Sequence, residues 1–349
     1  MKIPVFQRAV ENRRLFILSS SKKRYTVQMM KDAISHFAEQ FELPLKIQNP
    51  SKKRFKKFIV AGMGGSHLGA DLIKTIDPSL DLMIHSSYGL PTLQRDQWKD
   101  RFVIASSYSG NTEETIDAFF EARKRKFPLA AISVGGKLKV LAIKHKVPYV
   151  ELPDLGIQPR MASGISTMAL LKLMGRGKDI KEAEKLSKTL LPEKYSVRGK
   201  TLAETLKGKV PIIYSSAANL AIAYNWKIKF NETGKIPAFY NVLPELNHNE
   251  MTGFDVHPAS KALSAQSQFI FLEDPDDHPR IQKRMNILGE LYASKGLAIE
   301  KITLERGHVF HKIFSSLVLA DWTAYYTAEQ YGLEAEQVPM VEEFKRRMA

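Results

Sequence analysis

Short apolar runs that end in glycine- or hydroxyl-rich turns, each followed by helical patterning, recur along this chain. That alternation restricts the fold more than any other feature. Phe58-Ile59-Val60-Ala61 is a run of the kind found inside a parallel sheet, where both faces are covered. It ends at Gly62, and Leu68–Ile76 then takes up helical spacing. Asp81–His85, Phe102–Ser106 and Leu129–Val134 read as further strands, with Glu113–Arg125 and Leu138–His145 as crossover helices. Upstream, Val27, Met30, Ala33, Ile34, Phe37 and Phe41 predict a leading helix over Arg24–Leu43. After the charged stretch Lys178–Ser187 a second series begins. Val210–Ser215, Gln268–Leu272 and Ala298–Leu304 read as strands, Ala217–Glu232 and His308–Gln330 as helices. The expectation is an α/β fold of two doubly wound lobes, each a parallel sheet flanked by helices, over residues 1–180 and 181–349. Recurrence of the pattern in both halves fits an internal duplication.

Cysteine is absent, which excludes disulfides, thiolate metal sites and a thiol nucleophile. Met168–Met174 is broken by Lys172, and Ile313–Ala328 carries Asp321 and two serines, so neither spans a bilayer. The first residues contain no long apolar signal core. A cytoplasmic protein without membrane contact is expected. The net charge of +15 favours anionic partners. The basic runs Lys52–Lys57 and Arg123–Lys126 lie where a strand begins or a helix ends, and there they read as solvation of those elements. Zinc-finger spacing, an RNP motif and a basic zipper are all missing, so a small phosphorylated substrate is expected rather than nucleic acid.

Two strand-to-helix turns carry the chemical information. Gly62-Met63-Gly64-Gly65-Ser66 lets backbone N–H groups approach an anion at the start of a helix. It lacks the Lys-Ser/Thr ending of a Walker loop and the spacing of a dinucleotide fingerprint, which disfavours ATP and NAD. The second turn is Ser106-Ser107-Tyr108-Ser109-Gly110-Asn111-Thr112-Glu113-Glu114-Thr115. Its hydroxyls at Ser107, Ser109 and Thr112 can converge on a phosphate, and Thr112 can also cap the following helix. Elsewhere, Trp226, Trp322 and Tyr325-Tyr326 read as packing, and Glu273–Asp277 as an exposed turn. His308 and His311 have no HExxH pattern or carboxylate cluster beside them, so no metal is expected.

The pair GMGGS and SYSGNTEET resembles a sugar isomerase (SIS) domain. The similarity continues through Gln158-Pro159-Arg160, Phe230–Ala238, Pro244–Glu250 and Glu343–Arg347. Together these segments resemble the bifunctional phosphoglucose/phosphomannose isomerases. The resemblance implies two SIS-type lobes and a cofactor-free aldose–ketose isomerase acting on glucose 6-phosphate and fructose 6-phosphate through a cis-enediol. Mannose 6-phosphate is the implied second substrate. It implies Glu232 as catalytic base, His248 for ring opening from the neighbouring subunit of a homodimer, Arg160 at the enediolate and Lys345 at the ring oxygen. Gly65, Ser66, Ser107, Ser109 and Thr112 are the implied phosphate ligands. Two positions depart from the pattern. His67 replaces a glycine, which stiffens the first turn or adds a phosphate contact. Val338 stands where a dual-specificity member carries a Thr that holds a water near C1–C2, which argues against mannose 6-phosphate. The competing reading is a non-catalytic phosphosugar sensor. Such regulators append a DNA-binding helix-turn-helix, and the residues before Phe58 show only one helix and a linker.

Overall fold

A computed structural model describes residues 30–348. Among the described residues ten strands form two sheets. The first contains β1 (Ile47–Gln48), β2 (Lys57–Ala61), β3 (Asp81–His85), β4 (Arg101–Ser106), β5 (Leu129–Ser133) and β6 (Tyr149–Glu151), in the order β1-β6-β5-β4-β2-β3. Every pairing in it is parallel except that of the two-residue β1 with β6. The second is wholly parallel, with β7 (Val210–Ser216), β8 (Phe239–Leu243), β9 (Ser267–Glu273) and β10 (Ala298–Thr303) in the order β10-β9-β7-β8. The expected α/β class with two parallel-sheet cores is therefore present.

Strand alternation explains how the layers separate. Ile59, Val103 and Ala131 face one side of the first sheet, against Ile116 and Phe119 of helix Glu113–Lys124 and Leu138 and Leu141 of helix Gly136–Lys144. Phe58, Val60, Ile104 and Ile132 face the other side. There the apolar layer runs without interruption through helices Ser163–Leu173, Leu220–Lys229 and Val309–Gln330 to Ile213, Ile270 and Leu272 of the second sheet. Trp226 and Trp322 are buried within it, as packing residues. Among the described residues no helix is long and apolar enough to cross a membrane.

Several boundaries differ from the sequence pattern. The 24–29 part of the predicted leading helix lies outside the described residues. From residue 30 the helix runs to 35, then tightens into a 3-10 turn over Phe37–Phe41 that buries both phenylalanines. In that turn Gln40 Nε2 donates to Met161 O at 2.8 Å and Gln40 Oε1 accepts from Ile165 N–H at 3.1 Å, anchoring the start of helix Ser163–Leu173. The short β1, β6 and half-exposed β8 carry too little apolar alternation to be read from sequence. The Glu273–Asp277 turn is not simply exposed. Asp274 is buried, bonded to Lys312 Nζ at 2.8 Å and to Asn219 Nδ2 at 2.9 Å, because helix Val309–Gln330 delivers a lysine to the end of β9.

One ion pair lies wholly inside. Lys229 (1% exposed) donates to Asp321 Oδ1 at 2.6 Å, joining helix Leu220–Lys229 to helix Val309–Gln330. Removing one member leaves an uncompensated charge in an apolar layer. Asp321→Ala is expected to cost about 3–5 kcal/mol in urea unfolding, and Lys229→Met with Asp321→Leu to recover most of that loss. Equal stability of Asp321→Ala and parent would show that the pair is dispensable.

Candidate active site

β4 leads into the hydroxyl-rich turn, and its geometry is set by Ser107. This serine is buried; its Oγ lies 2.7 Å from Thr112 Oγ1 and accepts the Gly110 N–H at 3.1 Å. Thr112 is the N-cap of helix Glu113–Lys124, yet its side chain makes no cap bond. The expected capping role gives way to the contact with Ser107. The first-turn amides thus have no side-chain acceptor, the condition under which a helix N-terminus receives an anion. Gly110 has φ +76°, and a Cβ there would sit 1.9 Å from Gly135 O, so only glycine lets the turn after β5 pack so close. Ser109 is exposed, its Oγ accepting the Asn111 N–H at 3.2 Å.

The glycine turn and the hydroxyl turn are latched together. Ser106 Oγ donates to Ser66 O at 2.7 Å, and Tyr108 N–H donates to Ser66 Oγ at 2.9 Å. Beyond them, a Cβ on Gly65 would lie 2.7 Å from Pro159 C and 2.8 Å from Arg160 N. The missing side chain is therefore what allows the glycine turn to abut the Pro159–Met161 turn. His67 is committed elsewhere: Nδ1 is bonded to Asp71 Oδ2 at 2.7 Å, and the ring stacks 5.9 Å from Tyr224.

Arg160 is 1% exposed and bridges the lobes. Its Nε donates to Thr233 Oγ1 at 2.7 Å, Nη1 to Glu232 Oε2 at 3.3 Å, and Nη2 to the carbonyls of Ala335 and Glu336 at 2.9 and 2.8 Å. Burial pulls the guanidinium below its ordinary pKa, and the Glu232, Asp321 and Glu336 carboxylates oppose that shift. An arginine stays cationic throughout. Glu232 does not end a continuous helix as the pattern implied. The α-helix stops at Lys229 and opens into a π-turn over Phe230–Gly234, closed by Lys235 in the left-handed region. Such turns concentrate at functional sites. Here it carries both Glu232 and the buried Thr233 to one guanidinium. The Glu232 side chain keeps a third of its surface exposed.

Within one chain Arg160 and Glu232 come together, whereas His248 and Lys345 stand apart from them. His248 is exposed in the Glu245–His248 turn after edge strand β8. Lys345 is exposed on helix Pro339–Met348 and pairs with Glu342 at 2.7 Å.

The profile of the bacterial phospho-glucose isomerase C-terminal SIS domain matches residues 196–348. A bifunctional phosphoglucose/phosphomannose isomerase from Caldicellulosiruptor bescii is 31% identical, over 90% of this chain and 98% of the relative. One from Thermoplasma volcanium is 33% identical, over 90% and 99%. The chain belongs to the bifunctional phosphoglucose/phosphomannose isomerase family. In fold it also resembles the C-terminal domain of a glucosamine-fructose-6-phosphate aminotransferase from Francisella tularensis, with a TM-score of 0.66 at 14% identity, covering 92% of this chain and all of that one.

Three residues of this family member's site escape sequence reasoning. Thr233 is the acceptor for Arg160 Nε. Lys235 Nζ donates to the Glu232 carbonyl at 2.6 Å and to the Gln337 carbonyl, so it ties the Glu232 turn to the segment before Val338. Burial, with Arg160 nearby, lowers its pKa. Glu336 is buried beside Arg160, and its carboxyl pKa is raised by that burial. Lys235 stands inside the FNETGK segment, so that motif was the available signal; Glu336 offered none.

Proposed function

We propose that this chain interconverts glucose 6-phosphate and fructose 6-phosphate through a cis-enediol, with Glu232 as the base. The observation that carries this reading is the contact of Glu232 with a buried arginine. One carboxylate oxygen is fixed by Arg160 Nη1, and the other has no partner among the described residues. A carboxylate held this way can take the proton from C2 of the open aldose and return it to C1, while the C2 hydroxyl becomes the ketone. The two-electron change is internal to the sugar, so the step needs no external oxidant or reductant. Of the five guanidinium N–H groups, four are used by Thr233, Ala335, Glu336 and Glu232. The remaining one, on Nη1, serves the developing enediolate oxygen beside the base.

The phosphate binds at Ser107, Ser109 and Thr112, with Gly65 and Ser66 closing the other side. A hydroxyl pair at a helix start without a cap bond supports this assignment. We divide the chain into SIS-type lobes over 1–180 and 181–349. The active form is a homodimer in which the partner copy supplies His248 for ring opening and Lys345 lies at the ring oxygen. Exposure of His248 supports this, as does the uncovered row Met340, Phe344 and Met348 on the helix that carries Lys345. The protein is placed in the cytoplasm. The two relatives named above are both enzymes, and the sensor reading has no comparable support.

Glu232→Gln is expected to lower kcat by about 10²–10⁴-fold with fructose 6-phosphate while binding is kept. Replacing Ser107 and Thr112 with Ala is expected instead to raise KM, by roughly ten- to hundred-fold. An active Glu232→Gln enzyme would remove the carboxylate from the mechanism.

Mixing separates the dimer from a one-chain site. Glu232→Gln and His248→Ala, each inactive alone, form hybrids with one intact site if the histidine crosses between subunits. Random exchange then restores about a quarter of parental activity. A mixture as inactive as its components means that both residues act within one chain. For the second substrate, rates with glucose 6-phosphate and mannose 6-phosphate measured side by side are expected to favour glucose, because Val338 has no hydroxyl to hold a water. Equal rates would show that the valine is no barrier.

A further inference from the structure

The basic runs that are separate in sequence meet on one edge of the first sheet. In a parallel sheet all strands start on the same side. The register pairs Lys57 with Arg101, Val103 with Leu129 and Ala131 with Tyr149, so β2 and β4 start level, β5 and β6 start two and four residues further along, and the segments before all four lie at the same end of the sheet. Lys52, Arg54, Lys56 and Lys57 precede or open β2, Lys99 precedes β4, Arg123, Lys124 and Lys126 precede β5, and Lys144 and Lys146 precede β6. At a strand spacing of about 4.8 Å the row is roughly 15 Å wide.

Acidic groups answer only part of this charge. Asp100 pairs with Lys53, Glu121 with Arg125 and Asp81 with Arg101, which leaves the ten cations named above without an ion pair among the described residues. Arg123, Lys124 and Lys144 are accounted for locally, as complements to the C-terminal ends of their helices. The other seven have no such role. Crowding is felt by His145, whose pKa is lowered by burial and by Arg123 and Lys144, which lie in the last turns of two different helices. Like charges gathered without partners oppose folding, and an anion relieves that opposition.

We propose that this edge is a docking surface for nucleic acid, gripped through its phosphates without base readout. A duplex offers about one negative charge per 1.7 Å of its axis, which suits a row of cations along one sheet edge. A second copy of this chain, itself at +15, has no complementary charge to offer. Residues 52–57, 99–101, 123–128 and 144–148 include no exposed large apolar side chain to insert into a bilayer. The edge is at the opposite end of the strands from Ser107 and Gly65, so docking leaves the sugar site open.

The test is fluorescence anisotropy of a labelled duplex of about 20 base pairs, between about 50 and 200 mM NaCl. The parent is expected to bind with a log–log salt slope of about −3 to −5, and Lys56→Glu/Lys126→Glu/Lys146→Glu to bind at least about 10²-fold more weakly with a slope flatter by about 2–3. Fructose-6-phosphate turnover is expected to stay at the parental rate. Lys188→Glu/Lys200→Glu/Lys207→Glu, of equal net charge but on the second lobe, is expected to bind as the parent does. The proposal fails if the parent does not bind duplex at the lowest salt, if the second-lobe variant loses as much affinity, or if phosphatidylserine vesicles are bound and duplex is not.

Discussion

The site depends on a single buried cation. Arg160 has almost no contact with solvent, and four of its five N–H groups find acceptors inside the protein. The acceptors come from two places far from Arg160 in sequence: Thr233 and Glu232 on the π-turn, and the carbonyls of Ala335 and Glu336 near the C-terminal helix. A rigid guanidinium fork meets them only when both lobes are docked. The geometry that orients the Glu232 carboxylate is therefore also a test of correct assembly.

The surrounding structure makes that docking firm. One apolar layer continues from the first sheet to the second, so the lobes share a core rather than touching through a wet interface. Lys229 and Asp321 pin the helix that leads into the π-turn, and Lys235 ties that turn to the Gln337–Val338 segment. The glycine and hydroxyl turns join the same framework through Ser66 and the bare face of Gly65. Side chains held by so many independent contacts have little freedom left to lose when a ligand arrives, which lowers the entropic cost of binding.

Much of this was legible beforehand. The central strands β2, β4 and β5 are apolar on both faces and end in marked turns, so their positions follow from composition and punctuation. Ser107 and Thr112 could be paired because they lie five residues apart on one turn. The π-turn could not be foreseen, because Ala217–Glu232 has uninterrupted helical character and only contact with Arg160 and the left-handed Lys235 ends it early. The burial of Asp274 was hidden for a similar reason. Its partner Lys312 is 38 residues away, on another element.

Sequence alone determined what is local: the alternation of strand and helix, the glycines that permit close backbone approach, the hydroxyl turn, and a total charge that favours anions. These follow from side-chain periodicity and backbone freedom, which act over a few residues. Tertiary structure decided which side chains meet. It brought Arg160 to Glu232 across 72 residues of chain, left His248 and Lys345 exposed, and gathered the basic residues that precede β2, β4, β5 and β6 at one end of the sheet. Such meetings are set by packing and strand order, and neither is encoded in the spacing of any single segment.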